Sequence, residues 1–337
     1  MRILLTSILC HSGLMTHVLD LINYLIQQEI YVGAAFKNIG YLTATEEKKL
    51  LKQLTAIPYY QYDTASELEH FVKQHNFNLI HAHSYATFKS AAEVVMNLDL
   101  PLVVTLHSVY AWNYRFRWPL KTARKIIAVG MAQAYAANRY WQKLTVIENG
   151  IDLTRFVPNY ALIEKDATPD QINLLWYGRV DGSLAQGIRV LDEIAPHLPA
   201  NWQMRVLGNP GIPIRNIPVL GWTHNPVPYL QQSHITFAHS RALREAMACG
   251  SVGILIGDGY GGVITADYFQ QNQYPVMDAF PQYRLPRIKP QKIIDDLCSI
   301  ISGDLVRMRH EARAVAEQYF DLNLMGERIL KVYKEVI

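Results

Sequence analysis

Short apolar runs alternate with amphipathic stretches along the first half of the chain. The apolar runs cover residues 2–9, 31–36, 58–62, 79–83, 102–106 and 126–129, and their length and composition predict buried strands. Between them, residues 14–28, 43–54 and 66–75 have helical periodicity, and Thr64 with Glu67 has the spacing of a capping box. This alternation predicts a parallel sheet with helices on both faces.

A turn and an aperiodic stretch separate this half from a second α/β pattern. Asn149-Gly150 is a turn signal, and residues 152–171 lack periodicity and contain Pro158 and Pro169, which predicts a linker. Strand patterns follow at 172–177, 203–207, 235–238 and 252–256, with helical patterns at 185–196, 241–249, 291–302, 304–319 and 322–336. We therefore predict two doubly wound α/β domains that bind ligands outside the carboxyl ends of their strands.

Composition narrows the class of protein. The chain has 337 residues, of which 50% are apolar and 18% charged, enough apolar mass for two cores. The net charge of +3 is too small to indicate nucleic acid, but it suits an anionic small molecule or an anionic membrane surface. Three widely spaced cysteines favour reduced thiols in the cytoplasm over a disulfide framework or a zinc site. No leader-like or membrane-spanning apolar run is present.

The first strand runs directly into a glycine and a helix. Gly13 would let the backbone approach a ligand closely, and the start of the helix favours an anion. A plain strand–helix turn is the alternative, since no G-x-G-x-x-G pattern is present. His17 lies in the first turns of the same helix, and on its own it is typical of a core or surface histidine.

Histidines follow two other strands. His107 leaves the strand at 102–106, where its side chain would reach a substrate hydroxyl or phosphate. His81 and His83 end the preceding strand and share one face, but no third ligand has metal-site spacing with them. We therefore predict no metal site.

In the second half, candidate ligand-binding residues follow three of the predicted strands. Arg179 follows Gly178 and has the geometry to clamp a diphosphate. Glu245 lies in the helix after strand 235–238, where its carboxylate would accept two hydrogen bonds from a ribose diol; an ion pair with Arg241 is the alternative. The glycine-rich residues 257–262 would form a nest of amides around phosphate oxygens.

Several of these segments together resemble the family-4 retaining glycosyltransferases of the GT-B fold. Residues 245–250, EAMACG, match a signature of that family, and residues 146–152, VIENGID, are similar to its V-I-x-N-G-V-D at the domain junction. Residues 79–83 and 104–107, and Gly13 with His17, also match. The motifs occur in the family's order over nearly the whole chain.

The resemblance implies a GT-B fold, α/β, with two doubly wound Rossmann-like domains facing a central cleft. Residues 1–151 would form the acceptor-side domain, 152–320 the nucleotide-sugar domain, and 321–337 a helix crossing back to the first domain. The donor would be a UDP- or GDP-sugar and the acceptor a glycan or lipid-linked molecule, with retention at the transferred carbon. Neither a metal nor another cofactor is expected, because cationic side chains and helix N-termini would stabilise the leaving diphosphate.

The resemblance also implies roles for individual residues. Catalysis would involve His107, Arg179 and Glu245, with Glu245 on the ribose, Arg179 on the diphosphate and His107 at the transferred sugar. The donor-binding set is Gly13, Arg179, Arg241, Glu245, Gly261 and Gly262, and the acceptor-binding set is His17, His107 and Trp112.

The chain departs from the family at two positions. Phe237 stands eight residues before Glu245, where the family has a glutamate, and Gln186 stands at the place of a lysine. Arg189 or, preferably, Arg241 would replace that lysine's charge. The departures keep a second hypothesis open, a non-catalytic nucleotide-sugar-binding subunit that supports an active partner. A GT-B epimerase or phosphorylase is a third, without a convincing acid–base set.

Residues 110–125 combine aromatic and basic side chains. An extended conformation would place Trp112, Tyr114 and Trp118 on one side and Arg115 and Arg117 on the other, a pattern suited to a membrane interface. A partly buried connection is the alternative, and nucleic-acid binding is disfavoured by the low net charge. We expect a cytoplasmic protein with peripheral contact at the inner face of a membrane; a homo-oligomer is left open.

Overall fold

Two units of α/β structure make up the chain in the computed structural model. The structure describes residues 1–165, 169–179, 182–209, 211–272 and 275–337. One unit contains residues 1–150 with 322–337, and the other contains residues 151–321. Each unit has its own sheet and its own core.

The first unit alternates strands and helices as predicted. Its strands are β1 (Arg2–Ser7), β2 (Tyr31–Lys37), β3 (Tyr59–Tyr62), β4 (Leu79–Ala82), β5 (Leu102–Leu106), β6 (Lys125–Ala128) and β7 (Leu144–Val146). The helices between them are α1 (Gly13–Gln27), α2 (Ala44–Leu51), α3 (Ala65–Gln74), α4 (Tyr85–Leu98), α5 (Arg117–Thr122) and α6 (Met131–Ala136). The strands pair in parallel in the order β3-β2-β1-β4-β5-β6-β7.

Local sequence explains much of this unit. Thr64 and Glu67 form the predicted capping box at the start of α3, and Thr43 with Glu46 forms another at α2. Successive residues of β1 enter opposite cores: Ile3 and Leu5 pack on the side of α1, whereas Leu4 packs on the side of α4. This is the period-two alternation of a sheet that is covered on both faces.

The second unit repeats the architecture with one reversed edge strand. Its strands are β8 (Ile172–Tyr177), β9 (Trp202–Leu207), β10 (Val219–Gly221), β11 (Ile235–Ala238), β12 (Val252–Ile256) and β13 (Tyr260–Val263), in the order β10-β9-β8-β11-β12-β13. Its helices are α7 (Tyr160–Lys165), α8 (Ala185–Ile194), α9 (Val227–Gln232), α10 (Ser240–Ala248), α11 (Ala266–Gln271), α12 (Pro290–Ser302) and α13 (Leu305–Tyr319). β13 is antiparallel to β12, and the other pairs are parallel.

The stretch predicted to be an aperiodic linker contains a helix. α7 occupies Tyr160–Lys165 and packs Ile163 into the second unit. The prediction is wrong there because six residues are too short for periodicity to show. Residues 166–168 of the same stretch lie outside the described residues.

The last helix, α14 (Leu322–Val336), belongs to the first unit. The Tyr333 hydroxyl lies 2.6 Å from Nδ1 of the buried His81. Lys125 pairs with Glu335 at 2.8 Å, and Arg124 donates to the carbonyl of Val336 at 3.1 Å, so two cations hold the helix C-terminus. Within the described residues, no helix is long and apolar enough to cross a membrane.

Candidate functional site

Glu245 is held at a fixed position near the carboxyl end of the second sheet. It lies in α10, directly after β11, and is 7% exposed. The Tyr177 hydroxyl donates to its Oε2 at 2.6 Å, and Arg241 Nε donates to its Oε1 at 2.7 Å. Each carboxylate oxygen therefore keeps room for a further donor. The arrangement can accept two hydroxyl groups on one carboxylate.

Tyr177, which the sequence analysis missed, is the last residue of β8 and comes just before Gly178-Arg179. Burial, with the nearby charge of Glu245, raises the pKa of Tyr177 well above its usual value. The phenol therefore remains protonated at neutral pH and donates to the carboxylate. Its position at a strand end beside a predicted site residue is the signal that could have identified it.

The ion pair between Arg241 and Glu245, first considered as an alternative to a ligand role, is present. The two side chains are 14% and 9% exposed, so solvent screens their attraction less than it screens a surface pair. Arg241 has other N–H donors besides the Nε–H that orients Glu245. Its contact with a diphosphate stays a prediction.

Arg179 is exposed just beyond the end of β8. The backbone before it is crowded: a Cβ on Gly208 would lie 2.1 Å from the carbonyl oxygen of Gly178. Gly208 has φ +156° and Gly178 has φ +134°, so both positions favour glycine. This close approach of the ends of β8 and β9 fixes the backbone from which Arg179 projects.

The turn between β11 and α10 contains further polar residues that the sequence did not predict. Ser240 has φ +55°, an unfavourable value for a residue other than glycine, and its amide donates to the carbonyl of Met277. His239 Nδ1 lies 3.9 Å from Asp278 Oδ1. Burial alone would raise the pKa of Asp278, but nearby His239, the charge of Arg244 and a hydrogen bond from Ser240 hold it below its usual value. Asp278 stays ionised beside this strained turn.

Phe237 and Gln186, the two departures from the family, have different surroundings in the structure. Phe237 is fully buried in β11 and packs in the core, so it does not occupy the place of a site glutamate. Only His239 separates β11 from α10, so the chain passes from strand to helix through a very short turn. Gln186 is exposed on α8. Val180 and Asp181, which precede Gln186 in the sequence, lie outside the described residues.

The glycine-rich stretch does not form the predicted nest over its whole length. The amides of Gly257, Asp258 and Tyr260 donate to the carbonyls of Gly259, Ala279 and Pro286. Three of the donors expected to hold phosphate are thus used within the protein, and the prediction is wrong for them. Gly261 and Gly262 lie in β13, where Gly262 pairs with Leu255; their contact with the donor stays a prediction.

In the first unit, the structure brings three histidines together. His83 follows β4, His107 follows the neighbouring β5, and His17 reaches them from α1. Ring centroids are 4.7 Å apart for His17 and His107, 5.2 Å for His17 and His83, and 5.5 Å for His83 and His107. His17 is 2% exposed. Its ring packs against the other two histidines, and its direct contact with an acceptor stays a prediction.

Burial favours the neutral form of three of the histidines. It lowers the pKa values of His81, His83 and His107 well below the usual value, and the proximity of His17 lowers all three further. His81 is fully engaged, with Nδ1 at Tyr333 and Nε2 2.7 Å from the Thr105 hydroxyl. His83 Nε2 is buried without a hydrogen-bond partner among the described residues, an arrangement that costs about 1–3 kcal/mol. His107 keeps part of its surface exposed and can face a ligand.

The start of α1 is open to solvent. Ser12 caps the helix only with its backbone, no acidic residue lies in the first turn, and Gly13 is exposed. A Cβ on Gly13 would meet nothing within 4 Å. No contact within the protein therefore requires glycine at this position.

The segment 110–125 does not present its aromatic residues on one side. Trp112 is 1% exposed, packs in the core, and donates its Nε1–H to the Ser108 carbonyl at 2.9 Å. Its role in acceptor binding stays a prediction. The predicted extended conformation is wrong for α5, where Pro119 and Leu120 turn inward. Tyr114 and Trp118 remain 76% and 43% exposed.

Comparisons with known proteins identify one matching family model and a set of similar solved structures. The model of Glycosyltransferase Family 4 matches residues 11–155, less than half of the chain. This range contains His17, His83 and His107. No curated relative matches the chain.

Solved structures match nearly the whole chain at low identity. A glycosyltransferase from Rickettsia africae has a TM-score of 0.75 at 17% identity, covering 99% of this chain and 98% of that one. HepE from Anabaena in complex with UDP has a TM-score of 0.74 at 15% identity, covering 99% and 100%. A sucrose-phosphate synthase from Thermosynechococcus elongatus has a TM-score of 0.65 at 14% identity, covering 99% of both chains. The chain therefore has the predicted GT-B fold of two Rossmann-like α/β domains.

Proposed function

We propose that the protein is a glycosyltransferase that moves a sugar from a UDP- or GDP-sugar to a glycan or glycolipid acceptor with retention. The observation that carries the proposal is the carboxylate of Glu245, held between Tyr177 and Arg241 at the carboxyl end of the second sheet. Such a preorganised carboxylate can accept hydrogen bonds from the two adjacent hydroxyls of a ribose. The similarity of residues 11–155 to Glycosyltransferase Family 4 supports the same reading.

The donor would lie against the second unit. Glu245 would accept the ribose hydroxyls, and Arg179 with Arg241 would bind the diphosphate through charge-assisted hydrogen bonds. Gly261 and Gly262 would add backbone contacts. UDP is our first choice of nucleotide, because HepE was solved with UDP and with UDP-glucose.

The transferred sugar and the acceptor would meet the first unit. Exposed Gly13 leaves space for a phosphate or sugar at the start of α1, and neutral His107 can hydrogen-bond a sugar hydroxyl. In the proposed transfer, the bond between the sugar carbon and the diphosphate oxygen breaks as the acceptor oxygen attacks from the same face. The leaving phosphate oxygen accepts the acceptor's proton. Arginines and helix N-termini, without a metal, would stabilise its charge.

Turnover distinguishes this function from that of a non-catalytic nucleotide-sugar-binding subunit. The second hypothesis is favoured by exposed Gln186, which cannot neutralise a diphosphate as a lysine would. Pure protein is incubated with UDP-glucose, UDP-galactose, UDP-N-acetylglucosamine and GDP-mannose, and nucleotide release is measured with and without lipid-linked oligosaccharide. We expect release with at least one donor, lost in Glu245→Ala and kept in the surface control Glu193→Ala. Tight binding of a nucleotide-sugar, with no nucleotide released from any of the four donors, would favour the non-catalytic subunit.

We also propose that a cytoplasmic enzyme meets a lipid-linked acceptor at an anionic membrane surface. Exposed Tyr114 and Trp118 are interspersed with exposed Arg115, Arg117 and Lys121, and each base near such a surface contributes about 1 kcal/mol. Co-sedimentation with phosphatidylserine vesicles at low salt should fall in Arg115→Glu/Arg117→Glu and not in Lys48→Glu/Lys49→Glu. Failure of the wild-type protein to sediment with these vesicles would favour a soluble acceptor.

A further inference from the structure

His17, His83 and His107 converge although they come from three separate segments. β4 and β5 are parallel neighbours, which brings the residues that follow them side by side. The His83 amide donates to the Thr6 carbonyl of β1 at 2.9 Å, so its backbone is also tied to the strand that leads into α1. The sheet and α1 together thus fix the starting points of all three side chains.

Their ring nitrogens lie at distances close to those of a metal site. One nitrogen from each histidine can be chosen so that all lie within 4.8 Å of one another. His83 Nδ1 and His107 Nε2 are 3.2 Å apart. Zinc–nitrogen bonds of about 2.0–2.1 Å in a tetrahedron place nitrogens about 3.4 Å apart. The contact between His83 and His107 is within hydrogen-bond distance, so an ion at this place would replace that hydrogen bond and draw the third ring closer.

The chemistry of the cluster favours a borderline transition-metal cation. Its members are three imidazoles, a ligand type that suits such metals, and no carboxylate belongs to the group among the residues that the structure describes. Calcium and magnesium prefer oxygen ligands and are disfavoured. His83 is 2% exposed, and its Nε2 has no hydrogen-bond partner in the described part of the chain. His81 does not belong to this cluster, because both of its ring nitrogens are engaged by Tyr333 and Thr105.

We propose that His17, His83 and His107 form a binding site for one divalent transition-metal ion of the zinc class. Three protein ligands leave a fourth position for water or another small ligand, and partly exposed His107 lies on the side open to solvent. The site does not rest on the proposed glycosyltransferase function, although it shares His107 with the sugar contact proposed there. Its three ligands belong to the first unit, whereas Glu245 belongs to the second.

Zinc chloride is the probe for this site. Full-length protein is stripped with a chelator and titrated by calorimetry, and bound zinc is counted after gel filtration. We expect one Zn²⁺ per chain, a raised melting temperature, and binding about 100-fold or more weaker in His83→Ala and in His107→Ala. His70→Ala, which removes an exposed histidine of α3, should bind like the wild type.

A second measurement covers the case in which a variant does not fold. Zinc-edge X-ray absorption of the wild type should show three imidazole nitrogens at about 2.0 Å. Three results would each overturn the proposal: no stoichiometric zinc in the wild type, a first shell without imidazoles, or unchanged affinity in folded His83→Ala and His107→Ala.

Discussion

The Tyr177 hydroxyl donates a 2.6 Å hydrogen bond to Glu245 Oε2. β8 ends at Tyr177, and β11, which leads into α10, is its parallel neighbour, so the pairing of two strands positions the bond. Arg241 holds the other oxygen from one turn earlier in α10. The carboxylate is thereby oriented before any ligand arrives, which reduces the ordering cost of binding.

Tyr177→Phe should weaken nucleotide binding while leaving the fold intact. The change removes one hydrogen bond to an ionised acceptor, which contributes about 1–2 kcal/mol, so we expect about a 5- to 30-fold loss in UDP affinity. Calorimetric titration with UDP measures it. Tyr229→Phe, at an exposed tyrosine of α9, is the control. Equal affinity in both variants would show that Tyr177 does not position the carboxylate.

Gly13→Ala should separate ligand contact from stability. The added methyl meets nothing within 4 Å, and alanine is the better helix former, so the free energy of unfolding should stay within about 0.5 kcal/mol or rise. If a phosphate or sugar approaches this backbone, turnover should fall at least about tenfold, a loss of about 1.4 kcal/mol in transition-state stabilisation. Urea unfolding and initial rates measure the two effects. Unchanged rates would show that the start of α1 is a plain strand–helix turn.

Buried tyrosines should make the protein sensitive to alkali. Burial raises the pKa values of Tyr62, Tyr177, Tyr260 and Tyr333 above the usual value. A group whose pKa is raised in the folded state stabilises the fold below its unfolded pKa, near 10, and this contribution is lost as pH rises. Each tyrosine should lower the free energy of unfolding by about 1.4 kcal/mol for each pH unit above about 10. Tyrosinate absorbance with circular dichroism checks this: the prediction fails if all 20 tyrosines ionise near pH 10 while the fold persists.

Local patterns predicted most of the elements. β11 and β12 have the bounds that their apolar runs indicated, and α3 begins at the predicted capping box of Thr64 and Glu67. These features depend on neighbours in sequence, so a single chain reveals them. The prediction of an aperiodic linker failed at α7, because a six-residue helix has too few turns to show a period.

The candidate site was less predictable because it depends on contacts between distant segments. His83 was recognised, but its meeting with His17 and His107 follows from strand order, which spacing along the chain does not encode. The glycine-rich turn was misjudged for the same reason, because the carbonyls that occupy its amides belong to Ala279 and Pro286 in a later loop.

Calorimetric titration with UDP and GDP tests the central claim most directly, because it asks whether Glu245 holds a nucleotide. Wild-type protein should bind at least one of them. Glu245→Ala should weaken that binding at least about 30-fold, since a carboxylate that accepts two ribose hydroxyls contributes about 2 kcal/mol or more. Glu193→Ala, at an exposed glutamate of α8, should bind like the wild type. Wild-type protein that binds neither nucleotide, or a folded Glu245→Ala variant that binds as tightly as the wild type, would contradict the account.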